Sequence, residues 1–512
     1  MDDLQTLVAR WASPKVLVGL VASVLLVIFF YQGRDPSLYS RLPTMNDKGF
    51  LEFSNSRVKR NFVINGRRLL REGLKKFPGR PFRILTDSGP FIILPPEYAN
   101  EVRNISSLNH AQAIAKFVNA RYPGMEAFYE FAFGGDIVQD VIKSKLTQAL
   151  GRVTESLSDE TSLMLQESFG DEKGKSRSCT HPTLLHAVAR VSSRLFLGDR
   201  LCRDPEWLRI TTTYTHHVGR AINELNTWPW LMRPVVGQWL PRMRELRRQV
   251  REAHRVMGRV LEERKALKAA GQAPEYVDAI EWFDLTAHGR RYDPVHVQLT
   301  LSFVAIHTTA DMITQVMFDL AQHPEFIQPL RDEVVAVLGK EGWKKTSLYN
   351  MKLLDSVLKE SQRLRPINDT SLQRLVLDDV KLSDGTLLKR NSVCAVASTR
   401  HWDPEYYDNP EQFDAYRFLK MRAEPGKENV AQFVSTSPNH LGFGHGQHAC
   451  PGRFFASNEI KIIMCHILLK YDWRLIEGQQ PKSIVYGFLL AADHSTKLEI
   501  RRRQEEIDIS GP

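Results

Sequence analysis

The sequence predicts a mainly helical α+β body carrying small sheets, preceded by one membrane-spanning N-terminal helix. Three observations predict it. Apolar positions at helical spacing dominate from about residue 50 onward, and the longest such run is apolar on nearly every side. Strand-like segments are short and collect at 375–398 and 484–500. Residues 16–31 carry no charge. No linker rich in Gly, Pro or Ser, no repeat and no low-complexity block divides the remainder. The organisation expected is therefore an anchor at 1–34 and one large body at 35–512.

Composition narrows the class. Of 512 residues, 43% are hydrophobic and 25% charged, which excludes a disordered, collagen-like or disulfide-scaffold protein. The net charge of +10 suits an anionic membrane surface or an acidic protein partner as well as nucleic acid, and no nucleic-acid motif accompanies it. The cysteines Cys179, Cys202, Cys394, Cys450 and Cys465 are odd in number and widely spaced, with no Cys-x-x-Cys pair. That favours a reducing compartment and argues against a zinc ribbon.

In chain order, the first element is the apolar run 16–31, which covers about 24 Å at 1.5 Å per residue and is extended by Leu7, Val8, Trp11 and Ala12. Asp2 and Asp3 at the start, and bulky Phe29, Phe30 and Tyr31 at the end, disfavour a cleaved signal peptide. Arg34, Arg41, Lys48, Arg57, Lys59 and Arg60 follow it, so the positive-inside rule leaves the body cytosolic. Further on, 242–268 reads as a strongly basic helix preceded by Trp228, Trp230 and Trp239. It is either a solvated face or a second contact with anionic lipid.

The longest helix starts at Asp293-Pro294, an N-cap followed by proline at the first helical position, and runs to about Gln322 before Pro324. Leu299, Leu301, Phe303, Ile306, Ile313 and Val316 mark it as a buried central helix. Glu360 and Arg363 share a face of a helix beginning near Lys352. The strand region 375–398 turns at Ser383-Asp384-Gly385.

The chemistry concentrates at 439–455, NHLGFGHGQHACPGRFF. Gly442, Gly444, Gly446 and Gly452 surround Cys450, so the backbone can turn tightly and approach a flat group closely. Pro451 and an apolar helix follow, placing the cysteine at a helix N-terminus, where free N–H groups favour a thiolate. A thiolate on such a loop suits an axial iron ligand. Two rival readings remain at this point. Gly444-x-Gly446-x-x-Ala449 resembles a dinucleotide fingerprint but lacks a preceding strand and a following acid. His445, His448 and Cys450 are zinc-ligand types but lack a fourth ligand at sensible spacing.

Phe443-x-x-Gly446-x-x-x-Cys450-x-Gly452 resembles the haem-binding signature of the cytochrome P450 family, and three further motifs occur in that family's order. The resemblance spans roughly 35–505. It implies the P450 fold, a helical bundle around haem b, with Cys450 as the iron's axial ligand and Phe443, Gly446 and Gly452 shaping its loop. Glu360 and Arg363 resemble the family's buried Glu-x-x-Arg pair, and Arg417, in Phe413-Asp-Ala-Tyr-Arg417-Phe418, would complete a triad that braces the loop. Ala415 stands where proline is common. Arg374 and His448 fall where propionate partners are expected.

Ala305-Ile306-His307-Thr308-Thr309 resembles the oxygen-activation stretch, with Thr309 on the proton-relaying threonine. Ile306 replaces the usual glycine and Thr308 the usual acid, so Thr308, Asp311, His307 or water would carry protons instead. The similarity is greatest to fungal secondary-metabolism members, such as ent-kaurene-oxidase-like and indole-diterpene oxidases. It implies an endoplasmic-reticulum enzyme, single-pass with a cytosolic body, that oxidises a lipophilic terpenoid. Electrons would come from NADPH through a separate reductase. A haem-thiolate isomerase or dehydratase, and a polyketide or alkaloid substrate, remain open alternatives.

Overall fold

The computed structural model describes residues 42–49, 52, 55–228 and 232–509, with positions 16, 18, 19, 22 and 23 of the apolar N-terminal run. Most of the expected anchor, and Trp230 before the basic helix, therefore lie outside the described residues. Among the described residues, no helix is long and apolar enough to cross a membrane.

Helices lie on either side of one that crosses the middle. Towards the N-terminus stand α1 (Ser56–Lys76), α2 (His110–Val118), α3 (Glu126–Phe133) and α4 (Thr147–Phe169). Next come α5 (His181–Leu197), α6 (Pro205–Asn226), α7 (Pro241–Ala269) and α8 (Ala279–Ala287). The central helix is α9 (Pro294–Gln322), followed by α10 (Ile327–Glu341), α11 (Lys352–Leu364) and α12 (Arg453–Lys470). Helix α9 begins where Asp293 and Pro294 predict. The Asp293 carboxylate accepts the N–H groups of Val295 and His296 at 2.8 and 3.1 Å, satisfying two of the orphan donors at a helix start. It ends before Pro324, and α3, α5, α6, α11 and α12 pack against it. Val297, Leu299, Ile306, Ile313 and Val316 are each fully buried.

The sheets are small, as expected, but more numerous. The largest runs β1 (Phe82–Thr86), β2 (Gly89–Leu94), β8 (Val393–Ala397), β5 (Thr370–Val376), β3 (Leu108–Asn109), with β2 and β8 parallel. Strands β6 (Val380–Lys381) and β7 (Leu387–Leu388) form a hairpin around the expected turn. There the Asp384 carboxylate accepts the Thr386 N–H at 2.9 Å, and Gly385 takes φ +85°. The C-terminal strand region resolves into β10 (Ile484–Tyr486), β11 (Leu489–Ala491) and β12 (Leu498–Arg502). Strand β12 lies between β4 (Ser176–Cys179) and β9 (Tyr471–Leu475). The β1–β2 hairpin falls outside the two regions read as strand. Its residues are buried on both faces, so the two-residue alternation that marks a half-exposed strand is missing.

The basic segment forms α7, with Trp239 at 68% and Trp228 at 38% exposure ahead of it. Its inner face buries Met243, Leu246, Ala253 and Met257 against α6, so it is an ordinary amphipathic helix with a charged outer side.

Candidate active site

The loop before α12 folds back on itself. The Cys450 N–H donates to the Phe443 carbonyl at 2.8 Å, the Ala449 N–H to Gly446 at 3.0 Å and the Gly444 N–H to Leu441 at 2.9 Å. Gly444 and Gly446 take φ of +70° and +77°, where a side chain is strained. At Gly446 a Cβ would also lie 2.5 Å from that of Arg103, so the loop and the 100–104 segment approach too closely for any other residue. Phe443 packs edge-on against Phe433 at 5.1 Å.

Cys450 keeps accessible surface although it lies deep in the fold, so its exposure faces interior space. Burial pushes its thiol pKa up, opposed by the N–H groups of Gly452 and Arg453 and by the Arg453 charge. The helix start alone thus leaves a protonated thiol, contrary to the thiolate expected there. A metal cation at the sulfur is what would hold the ionised form.

Behind the loop, Glu360 and Arg363 are both fully buried. Arg363 Nε and Nη2 each donate to the Glu360 carboxylate at 2.8 Å, in the bidentate geometry that a planar guanidinium allows. Arg417 Nε donates to the same carboxylate at 3.0 Å, so the structure brings all three residues together. Arg363 Nη1 also donates to the His401 carbonyl at 2.6 Å, and the His401 ring accepts the Leu441 N–H at 2.9 Å. The triad thereby reaches the start of the cysteine loop. Ala415 costs nothing here; its carbonyl accepts the Ser356 hydroxyl at 2.6 Å.

Two of these supports were not among the sequence candidates. Lys359 is buried, and its ammonium donates to the carbonyls of Val430, Gln432 and Ser435 at 2.9, 2.7 and 3.1 Å. Burial pulls its pKa down to about 7. His401 is the second, held neutral by burial at about 3. Neither belongs to a short motif; the neighbouring Glu360 pair was the available signal that α11 is buried on more than one face.

Arg374 is 2% exposed, and its Nε and Nη2 have no hydrogen-bond partner among the described residues. Only Nη1 is bonded, to the Gln373 carbonyl at 2.9 Å, and burial lowers its pKa to about 10. His110, also unanticipated, donates to the same carbonyl at 3.0 Å. His448 stands beside Arg374, but burial, with Arg374 and Lys143 next to it, pulls it down to about 4. It is therefore a neutral donor rather than the cation expected. Lys145, two residues beyond Lys143, lies on the wall of a separate cleft with Trp282 and Leu285.

On α9 the two adjacent threonines face different ways. Thr309 is 3% exposed and lies on the closed stripe with Ile306 and Ile313. Thr308 is open, as is Val304 one turn earlier at 43%, and the Thr308 hydroxyl donates to the Val304 carbonyl at 3.0 Å. The reason is helical period: residues 304, 308 and 311 share one face and 306, 309 and 313 another. Asp311 is committed, accepting the Ala492 N–H at 2.7 Å, and His494 stands 3.7 Å from it. His307 Nε2 is buried without a partner among the described residues, and its ring meets that of His216 edge-on at 6.0 Å. Ile306 and Phe488 are both packed away, Phe488 on Phe62 at 4.8 Å.

On the outer side of the cysteine loop is a groove of about 520 Å³ whose lining includes Arg103, Lys143, His445 and Arg453.

Comparison with known proteins agrees with this geometry. Residues 137–499 match the family model for cytochrome P450. The chain belongs to the cytochrome P450 family. It is 48% identical over 438 residues to cytochrome P450 monooxygenase 1 of Gibberella fujikuroi, covering 84% of this chain and all of that one. It is 45% identical over 499 residues to the monooxygenase hepE of Aspergillus oryzae, covering 96% and 90%. The retinoic acid-bound cyanobacterial CYP120A1 shares the fold, with a TM-score of 0.64 at 18% identity over 87% of this chain and 96% of that one. This P450 is a monooxygenase, and the family implies a haem iron.

The residues present fit that group. Cys450 offers a soft, pre-placed sulfur that needs a cation. Arg374 offers buried N–H groups that need an anion such as a propionate.

Proposed function

We propose that this P450 is held in the endoplasmic-reticulum membrane by its apolar N-terminus, with its body in the cytosol. There it oxidises a lipophilic terpenoid, of the diterpene or indole-diterpene class, in a fungal biosynthetic pathway. NADPH supplies the electrons through a separate membrane reductase. The observation that carries the reading is the open stripe of α9. Val304 leaves apolar surface uncovered in the middle of a buried helix, one turn from an exposed Thr308 hydroxyl. Such a surface suits a C–H-rich substrate and excludes water around it. The names of the fungal relatives support the reaction class and the kingdom.

A haem held by the Cys450 thiolate would supply oxygen activation, the thiolate donating electron density to the iron. The chain's own part is positional. Cys450 would hold the iron and Arg374 a propionate, while the Glu360 triad reaches the sulfur-bearing loop through His401 and Lys359 fixes the 430–435 segment before it. Thr308, on the open side of α9, would pass a proton in place of the closed-in Thr309. His307 stands next to it, held neutral at about 4 by burial. The basic groove beside the loop is the reductase's docking place.

The test is expression in yeast with a fungal reductase and a panel of diterpenes. The expected result is a product gaining one oxygen, dependent on NADPH and dioxygen and absent in Cys450→Ser. Oxidation of polyketides with no turnover of any terpenoid would overturn the substrate class. Release of the protein from microsomes by alkaline washing would overturn the anchoring.

A further inference from the structure

Among the described residues, two clusters of histidine and carboxylate lie away from the cysteine loop, and their ring geometry separates them. In His181, Asp311 and His494 the two imidazoles stack at 3.7 Å with planes only 20° apart. A ring nitrogen's lone pair lies in the plane of its ring, so nearly parallel rings cannot aim two lone pairs at one ion. His254, Asp293 and His296 are different: their imidazoles stand 84° apart with centroids at 5.3 Å, so the ring planes intersect.

We propose that His254, Asp293 and His296 bind a transition-metal dication of the zinc type, joining the outer face of α7 to the first turn of α9. His254 Nε2 stands 3.7 Å and His296 Nδ1 3.9 Å from Asp293 Oδ2, and the three ligand atoms lie within 4.8 Å of one another. These separations are too long for hydrogen bonds. They are close to the spacing that ligands at about 2.0 Å around a tetrahedral ion adopt, roughly 3.3 Å, and small side-chain rotations close the gap.

The carboxylate is already oriented for the task. Asp293 Oδ1 is engaged by the Val295 and His296 N–H groups, which fixes the plane of the carboxylate and leaves Oδ2 free for a cation. Two imidazole nitrogens and one carboxylate oxygen are a donor set that divalent zinc, cobalt and nickel accept, with water completing the coordination. His254 and Asp293 are 41% and 34% exposed, so an ion can enter from solvent.

Glu126 and Glu130 of α3 lie within electrostatic reach of His296 and Asp293, respectively. The site is independent of the haem and of substrate identity.

The test uses full-length holoenzyme freed of loose metal by a chelator, then titrated with zinc chloride by calorimetry, with native mass spectrometry for stoichiometry. One zinc per chain is expected, together with a rise in Tm on zinc addition. Asp293→Asn is the informative variant, because asparagine caps a helix as well as aspartate does. It should keep the metal-free Tm yet weaken zinc binding by more than the roughly 10–100-fold typical of losing a group behind a ligand. His254→Ala, on the exposed side, should do the same, and His181→Ala should not. Zinc affinity unchanged in Asp293→Asn and His254→Ala, loss of binding in His181→Ala alone, or no zinc taken up by the parent enzyme would each overturn the site.

Discussion

The Thr308 hydroxyl donates to the Val304 carbonyl at 3.0 Å, and the two side chains stand open together on a helix whose opposite stripe, through Ile306 and Thr309, is closed. That relationship assigns different consequences to two adjacent threonines. Thr308→Ala should lower product formation by about 10²-fold, the lower end of what positioned proton transfer contributes, while NADPH is still consumed and hydrogen peroxide rises. Thr309→Ala should lower Tm slightly and leave the ratio of product to NADPH near that of the parent. Measuring product, peroxide and NADPH together separates the two outcomes.

That one-residue difference shows where sequence reading reaches its limit in this chain. Cys450, Glu360, Arg363 and Arg417 were legible because their chemistry demands fixed residue types at fixed spacing. The bounds of α9 were legible because Asp293-Pro294 and Pro324 act through local backbone geometry. Which of the two threonines stands open was not, because a shift of one position on a helix turns a side chain by about 100°. Neither Ile306 nor Thr308 matches the usual residue that would have fixed it. Lys359, His401 and His110 were invisible for another reason. Each acts on backbone carbonyls or N–H groups supplied by distant segments, and no short pattern encodes such partners.

Arg374 should govern how tightly the haem is held. Two of its guanidinium nitrogens are buried and unpartnered among the described residues, and a hydrogen bond to a charged group contributes about 1.5–3 kcal/mol. Arg374→Leu should therefore speed haem transfer to an excess acceptor globin by roughly tenfold or more. Arg374→Lys should fall between, since an ammonium keeps the charge but not the planar fork. Equal transfer rates in all three proteins would show that the guanidinium does not hold the propionate.

Buried neutral histidines should make the fold sensitive to acid. Burial lowers His401 and His181 to about 3 and His307 to about 4, whereas an unfolded chain titrates near 6.5. Between those values the unfolded chain binds protons that the folded one refuses. The stabilisation is complete above pH ~6.5 and is lost as pH falls towards the folded values, by up to about 1.4 kcal/mol per pH unit for each group. Tm should fall steadily from pH 7 to pH 5. His401→Gln should start from a lower Tm, having altered the acceptor of the Leu441 N–H, and should lose less of it over the same range. Parallel curves for the two proteins would remove His401 from the effect.

Lys143 offers the cleaner test of reductase docking in the basic groove. It is exposed and lines the groove with Arg103 and Arg453, whereas Arg453 also donates to the Cys450 carbonyl at 2.8 Å and would confound the measurement. An exposed rim charge acts mainly on the association rate and its salt dependence. Lys143→Glu should accordingly raise the Km for reductase several-fold at low ionic strength and leave haem content unchanged. The difference should shrink as salt shortens the screening length to about 8 Å or less. Unaltered reductase kinetics at low salt would move the docking surface away from this groove. A loss of haem in Lys143→Glu would instead show that this side chain supports the pocket through His448, which its charge already reaches.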